Sequence, residues 1–143
     1  MYRSLIAALL LALPAIANAE TQAPSLSVNV DPAGWLAIGG VAIVQLRDKS
    51  VCESLNDRSG KIMSRIVNAL EMVNRRGRYK DIRVTVEPPQ PGEPAGEPWV
   101  AVEGVRVMKV TNEDVAAARQ TSDKLAVKYA SGFRKALKRI YTP

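Results

Sequence analysis

Two stretches of this chain repeat one another, and that duplication restricts its folding more than any other feature. VNVDPAGWLAIGGVAIVQLR begins at Val28, and VTVEPPQPGEPAGEPWVAVEGVRVMKVT begins at Val84. Val28, Val30, Pro32, Trp35, Ala37, Gly40 and Val41 recur as Val84, Val86, Pro88, Trp99, Ala101, Gly104 and Val105. Conservative pairs fill the gaps: Asp31 with Glu87, Leu36 with Val100, Ile38 with Val102, and Ile43 with Val107. A shared order that includes the rare tryptophan marks a duplicated supersecondary unit.

Each copy reads as three strands and then a helix. Leu26 to Val30 and Ile82 to Val86 alternate with the period of a strand. The next two strands form a tight hairpin, turned at Gly39-Gly40 in one copy and Glu103-Gly104 in the other. A two-residue turn of this kind needs positive φ, which glycine supplies at little cost. From Glu53 to about Arg75, the residues Ile62, Ile66, Leu70 and Val73 line one helical face, with Gly77 as a stop. Thr111-Asn112-Glu113-Asp114 starts a short helix to Arg119, with a side-chain cap and early acidic residues. A longer helix from about Ser122 to Tyr141 carries Leu125, Tyr129, Phe133, Leu137 and Ile140 on its apolar face. Ile66 aligns with Phe133 and Leu70 with Leu137, so the repeat extends into the helices. The expected fold is α+β: two βββα units (about 25–80 and 81–143), strands antiparallel within each, helices packed on one face. The proline-rich PPQPGEPAGEP of 88–98 cannot pair in a central strand and reads as a stiff exposed loop.

A tight turn fixes which side chains share a face. Ile38 is expected opposite Val41 and Leu36 opposite Ile43, with Val102–Val105 and Val100–Val107 as counterparts; this aliphatic face packs on the helices. The other face then carries Trp35, Ala37, Ala42 and Val44, and Trp99, Ala101, Arg106 and Met108. It is apolar as well, so either the copies or a second subunit cover it, or it meets a partner. Basic residues cluster toward the C-terminal end of each helix: Arg75, Arg76, Arg78 and Lys80, then Arg134, Lys135, Lys138 and Arg139. The helix macrodipole favours cations there by about 0.3–1 kcal/mol each, and the same residues form rims suited to an anionic surface.

The first nineteen residues read as a cleavable export signal. Arg3 supplies the positive start, Leu5 to Leu13 an apolar run, and Ala17-Asn18-Ala19 the small residues of a cleavage site before Glu20. The apolar run is too short to cross roughly 30 Å of hydrocarbon. A periplasmic or secreted location follows as an expectation. Lys and Arg number 20 against 14 acidic residues, and loss of Arg3 with the leader lowers that excess by one. The balance permits anionic partners such as phospholipid or wall polymer, and export argues against nucleic acid. Cys52 is the only cysteine, which rules out a disulfide within one chain; it is expected as a small buried side chain, with a disulfide between chains as the alternative.

The chain has no histidine, which removes the commonest general base and the commonest zinc ligand. No serine sits in a nucleophile elbow, and Gly39-Gly40 is a turn rather than a phosphate-binding loop. Asp48, Glu53 and Asp57 precede or start a helix, where carboxylates usually act as caps and dipole partners. No catalytic residue, cofactor or metal ligand is expected.

The run VEGVRVMKVTNEDVAAARQTSDKLAVKYASGFRKAL resembles the extracytoplasmic domain that precedes the channel domain in some cyanobacterial mechanosensitive-channel-like proteins. Val110-Thr111, Asp114-Val115, Leu125-Ala126, Tyr129 and Ala136-Leu137 carry the likeness. DRSGKIMSRI is similar to that domain's E-R-A…R-L helix, with Asp57, Arg58 and Arg65 at its polar positions. A fold-level analogy to the phospholipid-binding BON domain lies in a helix before a strand and a glycine-turned hairpin. The resemblance implies a non-enzymatic envelope domain. The expected function is therefore an exported binding module that engages an envelope protein through the apolar sheet face or the basic rims, with homodimerisation as one way to cover that face. The alternative is an accessory protein that binds anionic phospholipid or wall polymer. The partner-binding candidates are Trp35, Trp99, Arg106, Met108 and the eight basic residues of the rims.

Overall fold

The computed structural model describes residues 26–76 and 81–141, with side chains up to Val73 in the first segment. The expected leader (1–19), Gly77, Arg78 and Lys80, and the side chains of Arg75 and Arg76, lie outside the described residues. The first repeat gives β1 (Val28–Val30), β2 (Trp35–Ile38), β3 (Val41–Gln45) and α1 (Leu55–Arg76). The second gives β4 (Val84–Glu87), β5 (Trp99–Val102), β6 (Val105–Lys109), the short α2 (Asn112–Ala118) and α3 (Ser122–Tyr141). Each repeat forms its own three-stranded antiparallel sheet, ordered β1-β2-β3 and β4-β5-β6. The duplicated α+β pattern is as the sequence predicts.

Local chemistry accounts for these elements. Gly39 and Gly40 have φ of 55° and 75°, and Glu103 and Gly104 have 51° and 80°, so both hairpins turn with positive φ at each central residue. The Thr111 hydroxyl accepts from the Asp114 N–H and caps α2, which ends at Arg119 in the left-handed conformation. Buried residues of α1 (Arg58, Ser59, Ile62, Ile66, Ala69, Leu70, Val73) recur at a constant offset on α3 as Leu125, Ala126, Tyr129, Phe133, Ala136, Leu137 and Ile140. The duplication is thus one of packing as well as of sequence. Among the described residues, no helix is long and apolar enough to cross a membrane.

The repeats are interlocked. Helix α1 packs on β1 of its own repeat and on β6 of the other; α3 packs on β4 of its own repeat and on β3 of the other. One continuous core results, running from Leu36 and Ile38 through Ile66 and Leu70 to Val100, Val107 and Phe133. A lone βββα unit would leave half of its helix stripe in water, so neither repeat completes a core alone.

The register departs from expectation by one residue in both hairpins. Ile38 pairs with Val41 and Val102 with Val105, as the turns dictate, but Leu36 pairs with Val44 and Val100 with Met108. A β-bulge between Leu36 and Ala37, and its twin between Val100 and Ala101, shifts the pairing. Val44 and Met108 therefore join the core instead of the open face, at 2% and 1% exposure. Trp35 now stands opposite Gln45, and Trp99 opposite Lys109.

Gly132 fits where α3 crosses β3: a Cβ there would lie 2.5 Å from Cγ2 of the buried Ile43. Gly60, in the interior of α1, faces open space. Alanine in a helix interior is favoured over glycine by about 1 kcal/mol, whereas overpacking costs about 1–3 kcal/mol. Gly60→Ala is therefore expected to raise the urea midpoint and Gly132→Ala to lower it, by about 1 kcal/mol each way in equilibrium unfolding.

Candidate functional site: a cationic pocket beside Trp99

The crossing of α1 over β6 leaves a pocket of about 290 Å³. Val51 and Cys52, from the segment that joins β3 to α1, close one end. Ile62 and Met108 supply an apolar wall, and Trp99 stands at the side. Arg58, Lys61, Arg65 and Lys109 line the rest, and no carboxylate joins them in the lining. The pocket is thus lined by the helix and linker of the first repeat and by the hairpin of the second.

The four cations differ in what already holds them. Arg58 is 5% exposed and is fully engaged. Its Nη2 donates to Asp114 Oδ2 at 2.5 Å and to the Lys109 carbonyl at 3.1 Å; its Nη1 donates to Asp114 Oδ1 and the Asp48 carbonyl. The same Asp114 Oδ1 accepts from the backbone N–H of Arg47 and of Asp48. This buried pair ties the start of α1, the end of β6, α2 and the linker after β3 into one cluster. Burial would push the Asp114 carboxyl up, but Arg58 and the two backbone donors hold it below the usual range. Lys61 meets the exposed Asp57 at 3.3 Å and reaches Cys52 Sγ at 3.5 Å. The Asp57 carboxylate raises its pKa, so it stays charged. Lys109 pairs with Glu97 at 3.2 Å. Arg65 has no ion pair among the described residues; its guanidinium lies 5.3 Å from the centre of the Trp99 ring.

Trp99 is set by the proline-rich loop. Its Nε1 donates to Glu93, which also accepts from the Gln90 N–H and from Arg106. Arg106 adds Glu87 at 2.9 Å and the Pro88 carbonyl. Glu97 accepts from the Asn112 N–H at the start of α2. The loop is thus anchored along its length and shields the outer side of Trp99. Arg106 and Lys109 each sit 5.7 Å from the ring centre, so three cations surround one indole. Trp35, which has no such loop, is 42% exposed.

The structure sorts the sequence-derived candidates. Trp99 lies in the pocket, and Trp35 stands at its counterpart in the first repeat. Met108 is core, because the bulge turns it inward. Arg106 is committed to Glu87 and Glu93 rather than presented on an open face. Arg134 is a structural residue whose Nε and Nη2 both donate to the Val84 carbonyl. Lys135, Lys138 and Arg139 are exposed on α3 and take no part in the pocket. Cys52, expected in the core, is half-buried at the pocket edge. The sequence pattern does not single out Lys61 or Lys109, and it marks Arg65 only as a polar position. Their signal is positional: Lys61 and Arg65 each precede an apolar stripe residue, Ile62 or Ile66, and so sit at the border of the buried face.

Residues 35–140, from the first tryptophan almost to the end of α3, match the model of a domain of unknown function, DUF8459, and the chain belongs to that family. No curated protein and no solved structure matches it.

The Arg58–Asp114 pair gives a stability test. Removing one partner of a buried pair strands the other, at about 3–5 kcal/mol, whereas replacing both by apolar groups costs far less. Asp114→Ala should therefore lower stability by at least that amount, and Arg58→Met with Asp114→Leu by less but not to zero, since the Arg47 and Asp48 N–H groups still lose their acceptor, in urea unfolding. Acid should act through the same cluster. Burial would raise the Asp48 carboxyl as well, but hydrogen bonds from Ser50 and Thr111 bring it down from 3.8 to about 2. Both groups titrate lower when folded, so their stabilisation is present above the ordinary carboxylate value of 3.8 and is lost as pH falls below it, for Asp48 toward about 2. The urea midpoint should drop across that window, and less steeply in Asp48→Asn.

Proposed function

We propose that this protein is a binding module rather than an enzyme, working outside the cytoplasm, and that it captures an anionic group in the Trp99 pocket. Arg65 carries the proposal. A half-buried guanidinium with no carboxylate partner among the described residues, held over an indole and flanked by Lys61 and Lys109, is a recognition group awaiting an anion. Arginine suits this role because its planar fork matches phosphate and carboxylate oxygens in pairs. A cleft lined by one sign of charge also concentrates counter-ions. The export signal read in the sequence supports the compartment.

Size narrows the occupant. Pockets for drug-sized ligands run from about 300 to 1,000 Å³, so this one suits a head group or the end of a larger molecule. Ile62, Met108 and the indole edge favour an anion that carries a short apolar or planar part. A phosphate from a phospholipid head group or from a wall polymer supplies that chemistry. The protein-partner reading through an apolar sheet face is less favoured, since Met108 is buried and Arg106 is neutralised by glutamates.

The test uses Trp35→Phe, which leaves Trp99 as the only tryptophan. Titration with sn-glycerol 3-phosphate should give a saturable change in emission that weakens with salt. Arg65→Glu should reduce the affinity at least ten-fold, since charge-assisted hydrogen bonds contribute about 1.5–3 kcal/mol. Co-sedimentation with phosphatidylglycerol vesicles, against phosphatidylcholine vesicles, separates a lipid source from a soluble one. No saturable change, or equal affinity in Arg65→Glu, would remove the proposal.

A further inference from the structure

The interlocked packing makes two seams, and the second holds a pocket of its own. Where α3 crosses β3, a cavity of about 150 Å³ opens beside Trp35. It is built like the first, with the roles of the repeats exchanged. Trp35, Val44 and Gln45 of the first hairpin occupy the places of Trp99, Met108 and Lys109. Lys128 and Tyr129 of α3 occupy those of Lys61 and Ile62 of α1, by the same offset that aligns the buried faces. Ala118 and Gln120, from the segment joining β6 to α3, close the end that Val51 and Cys52 close in the first. A tryptophan facing a lysine across the seam is the element common to both.

The geometry points to a second anion site here, with Arg47 and Lys128 as its binding groups; this rests on the anion reading of the Trp99 pocket. Neither cation has an ion pair among the described residues. Arg47 is held in place by the site itself. Gln45 Nε2 donates to the Ala33 carbonyl at 2.8 Å, which turns its Oε1 to accept from Arg47 Nη2. The Arg47 backbone N–H is fixed in turn by Asp114 Oδ1 at 2.9 Å. The guanidinium is thus positioned by a neutral amide that leaves its charge uncompensated, an arrangement suited to an incoming phosphate or carboxylate.

The two sites differ for physical reasons. Position 65 on α1 is arginine, and its counterpart on α3 is Gly132, which packs tightly on Ile43. The second seam is therefore closer, its pocket is smaller, and it lacks a guanidinium over the indole. The buried Arg58 of the first pocket is replaced by Leu125. With no proline-rich loop over it, Trp35 remains open to solvent. The module consequently offers two anion sites of different size, one at each seam.

Both sites can be read in the intact protein, because each indole N–H gives its own ¹H–¹⁵N signal. Trp35→Phe, which deletes an exposed ring, assigns the two. Titration of the wild-type chain with sn-glycerol 3-phosphate should shift both signals, each saturably. Lys128→Glu, on the exposed surface of α3, should abolish the Trp35 response and leave that of Trp99 unchanged. If Trp99 responds and Trp35 does not, the second site is wrong while the first stands. If neither responds, both are wrong. A Trp35 shift that persists unchanged in Lys128→Glu also overturns the second site.

Discussion

The structure depends on reciprocal cover. A three-stranded sheet and one helix cannot seal a core, because the helix stripe is wider than the edge strand beneath it. Here each helix spans the first strand of its own repeat and the third strand of the other. The two repeats therefore relate to each other as the halves of an intertwined dimer would, but within one chain. The largest fully buried apolar side chains, from Leu36 to Phe133, all belong to a single continuous core. The tandem arrangement also removes the need for a disulfide, which a chain with only Cys52 could not form internally.

Reciprocal cover explains where the two tryptophan pockets lie. Both fall at a seam where a helix of one repeat crosses the hairpin of the other, so each is walled by both repeats. Divergence after duplication then acted on equivalent positions. An arginine at position 65 and the proline-rich loop built a shielded, cationic pocket around Trp99. Gly132 and a short β1–β2 connection left a shallower one at Trp35. The Arg58–Asp114 pair stands on one side only, where it ties α2 and the linker after β3 into the larger pocket's base.

Much of this was legible in the residues. The repeat, both glycine turns, the helix faces and the Thr111 cap follow from local chemistry, and all appear in the structure. The hairpin faces are legible only beside the turns. A tight turn fixes the pairs beside it, but nothing in WLAIGGVAIV announces a bulge between Leu36 and Ala37, and a one-residue shift exchanges faces beyond it. The twin bulge in the second hairpin carries Met108 into the core in the same way. The pocket cations stayed hidden for a different reason. Periodicity identifies which helix face is buried but not which sheet it meets, so Lys61 and Arg65 could not be set against Trp99. The buried ion pair joins residues far apart in sequence, and only the crossing of the repeats brings Arg58 to Asp114.

Native-state hydrogen exchange tests reciprocal cover most directly. If the repeats share one core, the slowest amides of α1, α3 and both hairpins must open together, with one common free energy equal to that of global unfolding. Two groups of amides, one per repeat and separated by several kcal/mol, would show that each repeat has its own core and would contradict the account.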